Sequence, residues 1–74
     1  MPVEAGPDHV AIVTALAQVD RDQREAVVLH YLADLGVAEI AAELGIPEGT
    51  VKSRLSRARV RLADLLDEKE GRHV

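Results

Sequence analysis

The segment "PEGTVKSRLSRARVR", residues 47–61, holds Lys52, Arg54, Arg57, Arg59 and Arg61 against a single acid, Glu48. More than half of the chain's nine lysines and arginines fall in this one stretch. Guanidinium and ammonium groups at such density suit a polyanion, because each can pair with a phosphate and release condensed counterions. The 74-residue chain as a whole is nevertheless acidic, with a formal net charge of −4. Its local charge is therefore the informative quantity.

On a helical wheel at about 100° per residue, Val51, Leu55, Ala58, Leu62 and Leu65 form one apolar stripe. Gly49, Ser53, Ser56 and Val60 point most nearly away from it. Arg54, Arg57 and Arg61 lie along one flank, and Lys52 and Arg59 along the other. Small groups at the crest would let such a helix approach the floor of a major groove, while long cations on both flanks would reach the phosphate walls. Phosphate contacts supply affinity and position, and base-edge contacts supply specificity. Reading residues cluster near the start of a recognition helix, which here means Thr50, Lys52, Ser53 and Arg54.

Positioning this helix requires a partner at a fixed angle. "VAEIAAEL" places Val37, Ile40, Ala41 and Leu44 at helical spacing, and Gly45 ends it. Pro47 suits the first turn of the next helix, predicted over residues 47–67. Ala41 is small where the two helices cross, and Ile46 and Val51 plug the corner. Two helices joined by a glycine turn, the second basic, form the pattern of a helix-turn-helix. Upstream, the spacing predicts a helix from Asp8 to Gln18 with Val10, Val13, Leu16 and Ala17 as its apolar stripe. A second helix opens at Asp20, with Gln23 three residues on as in a capping box, and stops at Gly36. From Ala26 to Ala33 it is apolar except at His30, which implies cover on more than one side, from the core or, with the first helix, from a partner. Residues 1–7 read as a flexible lead-in, 8–67 as one domain and 68–74 as a polar tail.

The fold class that follows is all-α, a small four-helix domain containing a helix-turn-helix. Aliphatic residues dominate its apolar content, and Tyr31 is the only aromatic. No Cys is present for disulfides or thiolate metal sites. His9, His30 and His73 are scattered, so no metal or other cofactor is expected. No arrangement of nucleophile and base or of paired carboxylates argues for an enzyme. No apolar run nears the roughly 18 residues of a membrane span, and no signal-peptide pattern opens the chain, so a cytoplasmic location is expected.

The run from Asp20 to Leu66, with "QRE", "VVLHYL" and "VAEIAAELGIPEGTVKSRLSRAR" as its distinctive parts, resembles region 4 of bacterial sigma-70-class RNA polymerase sigma factors. It is most similar to the extracytoplasmic-function group. The resemblance implies a four-helix domain whose last helix enters the major groove of a promoter −35 element. It also implies docking on the flap of the polymerase β subunit, and often capture by an anti-sigma factor. Carried over by position, Thr50, Lys52, Ser53, Arg54 and Arg57 contact DNA, and Val27, Leu29 and Tyr31 form part of the polymerase side. A sigma domain of this kind binds asymmetrically, as a monomer.

The chain departs from the pattern in two ways. "VDRDQRE" lacks the proline of the usual "LPPRQR"-like entry to the second helix. The aromatic-rich domain that melts a −10 element has no counterpart here, and one Tyr cannot trap unstacked bases. The chain alone is therefore not expected to start transcription. A LuxR-type output domain shares the "EIA..LGI..GTVK" core, but such domains tend towards "H...I..KL" where this chain runs "SRLSRARVRL". The third possibility is a module that binds only protein, either the polymerase flap or an anti-sigma factor.

Overall fold

The computed structural model describes the backbone of residues 7–69 and the side chains of residues 10–67. Four helices follow in order: α1 (Pro7–Ala17), α2 (Arg21–Val27, continued by a π-helical turn, Val28–Leu32), α3 (Val37–Leu44) and α4 (Glu48–Lys69). α4 packs against α1, α2 and α3, so the core lies along one side of it. Val51 and Ile40 are the largest fully buried side chains. Ala26, Ala41 and Ala58 are buried with them and, lacking bulk, allow close approach of the helices. The expected stripe of α4 is the core: Val51, Leu55, Ala58 and Leu65 are buried, and Leu62 packs against them half-exposed.

The helix-turn-helix forms as its spacing predicts. Gly45 adopts φ 69°, ψ 37°, the left-handed conformation that costs L side chains most. The amides of Gly45 and Ile46 both donate to the carbonyl of Ala41, closing α3. Pro47 stands just before α4, where its carbonyl accepts the amides of Thr50 and Val51 at 3.0 and 3.2 Å. It is thus the cap of α4 rather than its first residue, a shift of one position from the sequence expectation.

Elsewhere the structure corrects the sequence reading. On α1 the buried residue is Ala15, followed by Val19 just beyond the helix, while Val10 and Val13 stay exposed. That helix is apolar on almost every side, so periodicity could not single out the face that packs. The expected capping box of α2 is absent: Asp20 makes no side-chain cap bond, and its carbonyl accepts the Arg24 amide at 2.8 Å. The corner is closed instead by Arg24, whose Nη1 donates to the carbonyls of Leu16, Ala17 and Val19 at 3.3–3.5 Å. These carbonyls lie at and just past the end of α1, where helical partners run out and a cation is favoured.

Gly36 does not stop the second helix. The helix widens into a π turn, with the Ala33 amide donating to the Val28 carbonyl five residues back. Asp34 then takes the left-handed conformation at φ 62°, which its short polar side chain tolerates better than most. His30 Nδ1 donates to the Leu35 carbonyl at 2.8 Å and ties the exit down. Gly36 is left to cap α3, its amide donating to the Glu39 carboxylate at 2.7 Å. The expected domain limits shift slightly: Pro7 is already helical, and α4 runs to Lys69. Most of the expected lead-in and tail, residues 1–6 and 70–74, lies outside the described residues.

Two substitutions test the corner. Gly45→Ala meets no atom within 4 Å, so its effect is conformational: a loss of about 1 kcal/mol, or roughly 4–8 °C in Tm. Ala41→Leu overpacks the α3–α4 crossing and should cost about 1–3 kcal/mol in urea unfolding.

Candidate nucleic-acid interface

The seven polar or basic positions expected to contact DNA all lie on α4. They run over about 16 Å of its length, at 1.5 Å per residue. Packing of Val51, Leu55, Ala58 and Leu65 turns the opposite side of the helix outward. Gly49, Ser56 and Val60 are exposed there, and Ser53 and Thr50 are half-buried. Lys52, Arg57, Arg59 and Arg61 are exposed, whereas Arg54 is half-buried. The structure thus brings the basic set onto one helix surface, with short side chains at its crest.

Two of the cations have protein partners. Arg54 Nη2 lies 3.8 Å from Asp22 Oδ2 of α2, with 26% and 64% of the two side chains exposed. Arg59 Nε donates to the Tyr31 hydroxyl at 2.9 Å, and its guanidinium carbon stands 5.9 Å from the ring centroid. Both partners are supplied by the second helix and its π turn, at opposite ends of that segment. Neither pairing was anticipated from the sequence, since each joins residues 28–32 positions apart through tertiary packing. Asp22→Asn should change stability by less than about 0.5 kcal/mol in urea unfolding, because an ion pair this open is screened by solvent.

The proposed polymerase side divides. Val27 is buried, Leu29 packs against the core, and Tyr31 is 56% exposed. Val27 and Tyr31 line an apolar groove of about 640 Å³ between α1, the π turn and the C-terminal half of α4. Leu29 instead lines a shallower hollow with Arg21, Arg24 and Glu25. The groove wall also includes Ile12, Val13, Leu16, Leu32, Leu62 and Leu66, none of which was singled out as a binding residue. A signal was present in the exposed leucine–alanine edge of α4 and in the excess of apolar residues on α1. Leu32, 74% exposed, is the most open large apolar side chain of the wall.

α3, the left-handed Gly45 and α4 therefore make a helix-turn-helix, the architecture of a DNA-binding domain. The family described as "Sigma-70, region 4" matches residues 9–62, and the chain belongs to it. Among curated proteins it is 47% identical over 57 residues to "ECF RNA polymerase sigma factor SigM" of Mycobacterium tuberculosis, covering 77% of this chain and 29% of that one. It is 45% identical over 56 residues to SigL of the same species, covering 76% and 32%. "RNA polymerase sigma-E factor" of Streptomyces antibioticus is 36% identical over 67 residues, 90% of this chain and 37% of its own. The chain thus spans about a third of the length of these relatives, and its similarity falls within the extracytoplasmic-function group. No described helix is long and apolar enough to cross a membrane.

Proposed function

We propose that this chain is the −35-binding and polymerase-docking domain of a sigma factor, acting as a monomer in transcription initiation in the cytoplasm. The observation that carries the reading is the concentration of cations on the outward side of the helix-turn-helix's second helix. Thr50, Lys52, Ser53 and Arg54 sit at the start of α4, where a recognition helix meets base edges. Arg57 and Arg61 continue the flank begun by Arg54 and hold backbone phosphates. The remainder of the chain is acidic, which disfavours any other docking face on DNA. Family membership supports the same assignment over the LuxR-type alternative.

The apolar groove gives the second half of the function. Its walls suit the apolar face of a helix, and the flap of the polymerase β subunit is the occupant proposed. An anti-sigma factor competing for the same surface would account for regulation. The groove lies beside the C-terminal half of α4, away from the reading residues at its start, so both partners can be engaged together. No step of this function needs catalysis, a metal or a cofactor from this chain.

An NMR titration separates the two surfaces. A −35-like duplex should shift amides of residues 47–57, and a flap helix should shift Leu16, Leu32 and Leu66. Duplex shifts with no flap response would favour a regulator of another kind, and the reverse a module that binds only protein. Lys52→Ala or Arg54→Ala should weaken a preferred duplex by roughly 1–3 kcal/mol and relax its sequence preference. Arg57→Ala should weaken all duplexes alike and flatten the log–log salt dependence by about 0.9.

A further inference from the structure

Arg59 lies on the same edge of α4 as Lys52, because seven residues advance an α-helix by nearly two full turns. Seven residues further on, Leu66 continues that edge into the apolar groove. One edge thus runs from the basic surface to the groove, with Arg59 standing where they meet. Of the residues lining the groove, Arg59 and Tyr31 are the two that are polar, and they bind each other. Nε donates to the Tyr31 hydroxyl at 2.9 Å while the guanidinium faces the ring at 5.9 Å.

Tyr31 is not fixed in the core. It sits on the π turn, 56% exposed, with the His30 ring edge-on at 4.6 Å. Its ring is part of the groove wall, so a helix seated there competes with Arg59 for it. The guanidinium, once released, can extend along the edge of α4 that it shares with Lys52.

We propose that Tyr31 is a positioning residue that decides whether Arg59 reaches DNA. With the groove empty, Tyr31 holds the guanidinium at the groove rim; a helix docked in the groove takes the ring and frees Arg59 for a backbone phosphate on the Lys52 side. The inference rests on the reading of α4 as the DNA-facing helix. Docking and DNA affinity are then linked, and the linkage is reciprocal: DNA tightens docking by the same factor. A cation held over an exposed ring is retained by a factor of about two to five, which sets the size of the effect.

The test uses the whole chain and a −35-like duplex, with affinity measured by fluorescence anisotropy over a range of salt. Tyr31→Leu should bind DNA about two- to fivefold more tightly, with a salt dependence steeper by at most about 0.9. Tyr31→Phe, which keeps the ring and removes the hydroxyl, should fall between it and the wild type. Arg59→Ala alone should flatten the salt slope by much less than Arg57→Ala does, and Tyr31→Leu/Arg59→Ala should lose the gain. A saturating flap-helix peptide should steepen the wild-type slope and leave that of Arg59→Ala unchanged. Without DNA, the NMR signal of the Arg59 Nε–H should move in Tyr31→Phe. The proposal is overturned if Arg59→Ala alone flattens the slope as much as Arg57→Ala does, since Arg59 would already be on a phosphate. It is equally overturned if Tyr31→Leu leaves affinity and slope in place, if the bound peptide does not steepen the wild-type slope, or if the Nε–H signal does not move. Failure of the underlying reading would show separately, as Lys52→Ala and Arg57→Ala binding DNA like the wild type.

Discussion

α4 has to satisfy three neighbours and still present charge. Every other helix packs on it, and the side it gives them is narrow: Val51, Leu55, Ala58 and Leu65, with Leu62 at the margin. A stripe of this width leaves most of the helix circumference for other purposes. Its N-terminal half spends that surface on cations and short polar residues, and its C-terminal half on Leu62, Ala63 and Leu66. Because α4 is 22 residues long, these halves are separated along the axis while sharing one rigid body. A shorter helix would end before the groove, and a wider core stripe would bury the cations. The left-handed turn at Gly45 then orients this body against α3.

What could be read from the sequence was whatever local chemistry decides alone. Gly45, Ile46 and Pro47 specify a turn with little help from elsewhere, so α3, the corner and α4 were legible almost to the residue. α4 alternates apolar and charged positions sharply, which made its core stripe and basic flanks legible too. α1 offered no such contrast, and its packing face depends on which residue fits α4 most closely. Ala15 is the residue buried there, and its small size is a criterion that hydrophobic periodicity cannot weigh. The end of the second helix departs from the sequence expectation for a related reason. Gly36 is the residue best suited to a left-handed exit, yet the π turn brings the chain to that conformation two residues earlier, at Asp34. The groove and the pairings of Arg54 and Arg59 arise from tertiary geometry, and no spacing rule in the sequence announces them.

The π turn does more than end a helix. Its wider spiral, bonded five residues back, alters the angular progression of side chains set by the α-helical part of the segment. Ala26 and Val27 are buried on the α-helical side of the junction, whereas Tyr31 and Leu32 emerge on the groove side. A continuous apolar run from Ala26 to Ala33 can in this way serve two masters, filling the core first and furnishing a surface afterwards. The His30–Leu35 bond holds the transition in place. Tyr31 is thereby brought to Arg59, 28 residues distant in sequence.

The uneven charge also bears on how such a domain meets DNA. Residues 47–61 carry a formal +4, five cations against Glu48, within a chain of −4, which leaves −8 for the remainder. A uniformly basic domain would adhere to DNA in many orientations, since phosphate attraction is independent of sequence. On the proposed reading, approaches that turn α4 toward the duplex are favoured here, and the others are opposed over distances of about a Debye length. The cost is a weaker total attraction than nine cations without acids would provide. An orientation imposed by repulsion would suit the proposed docking of a protein partner in the groove, because the acidic surface would keep a duplex on the α4 side. Pairing Arg59 with Tyr31 carries the same economy one step further: it trims the exposed cationic surface of the free domain at the one place where that surface borders the groove.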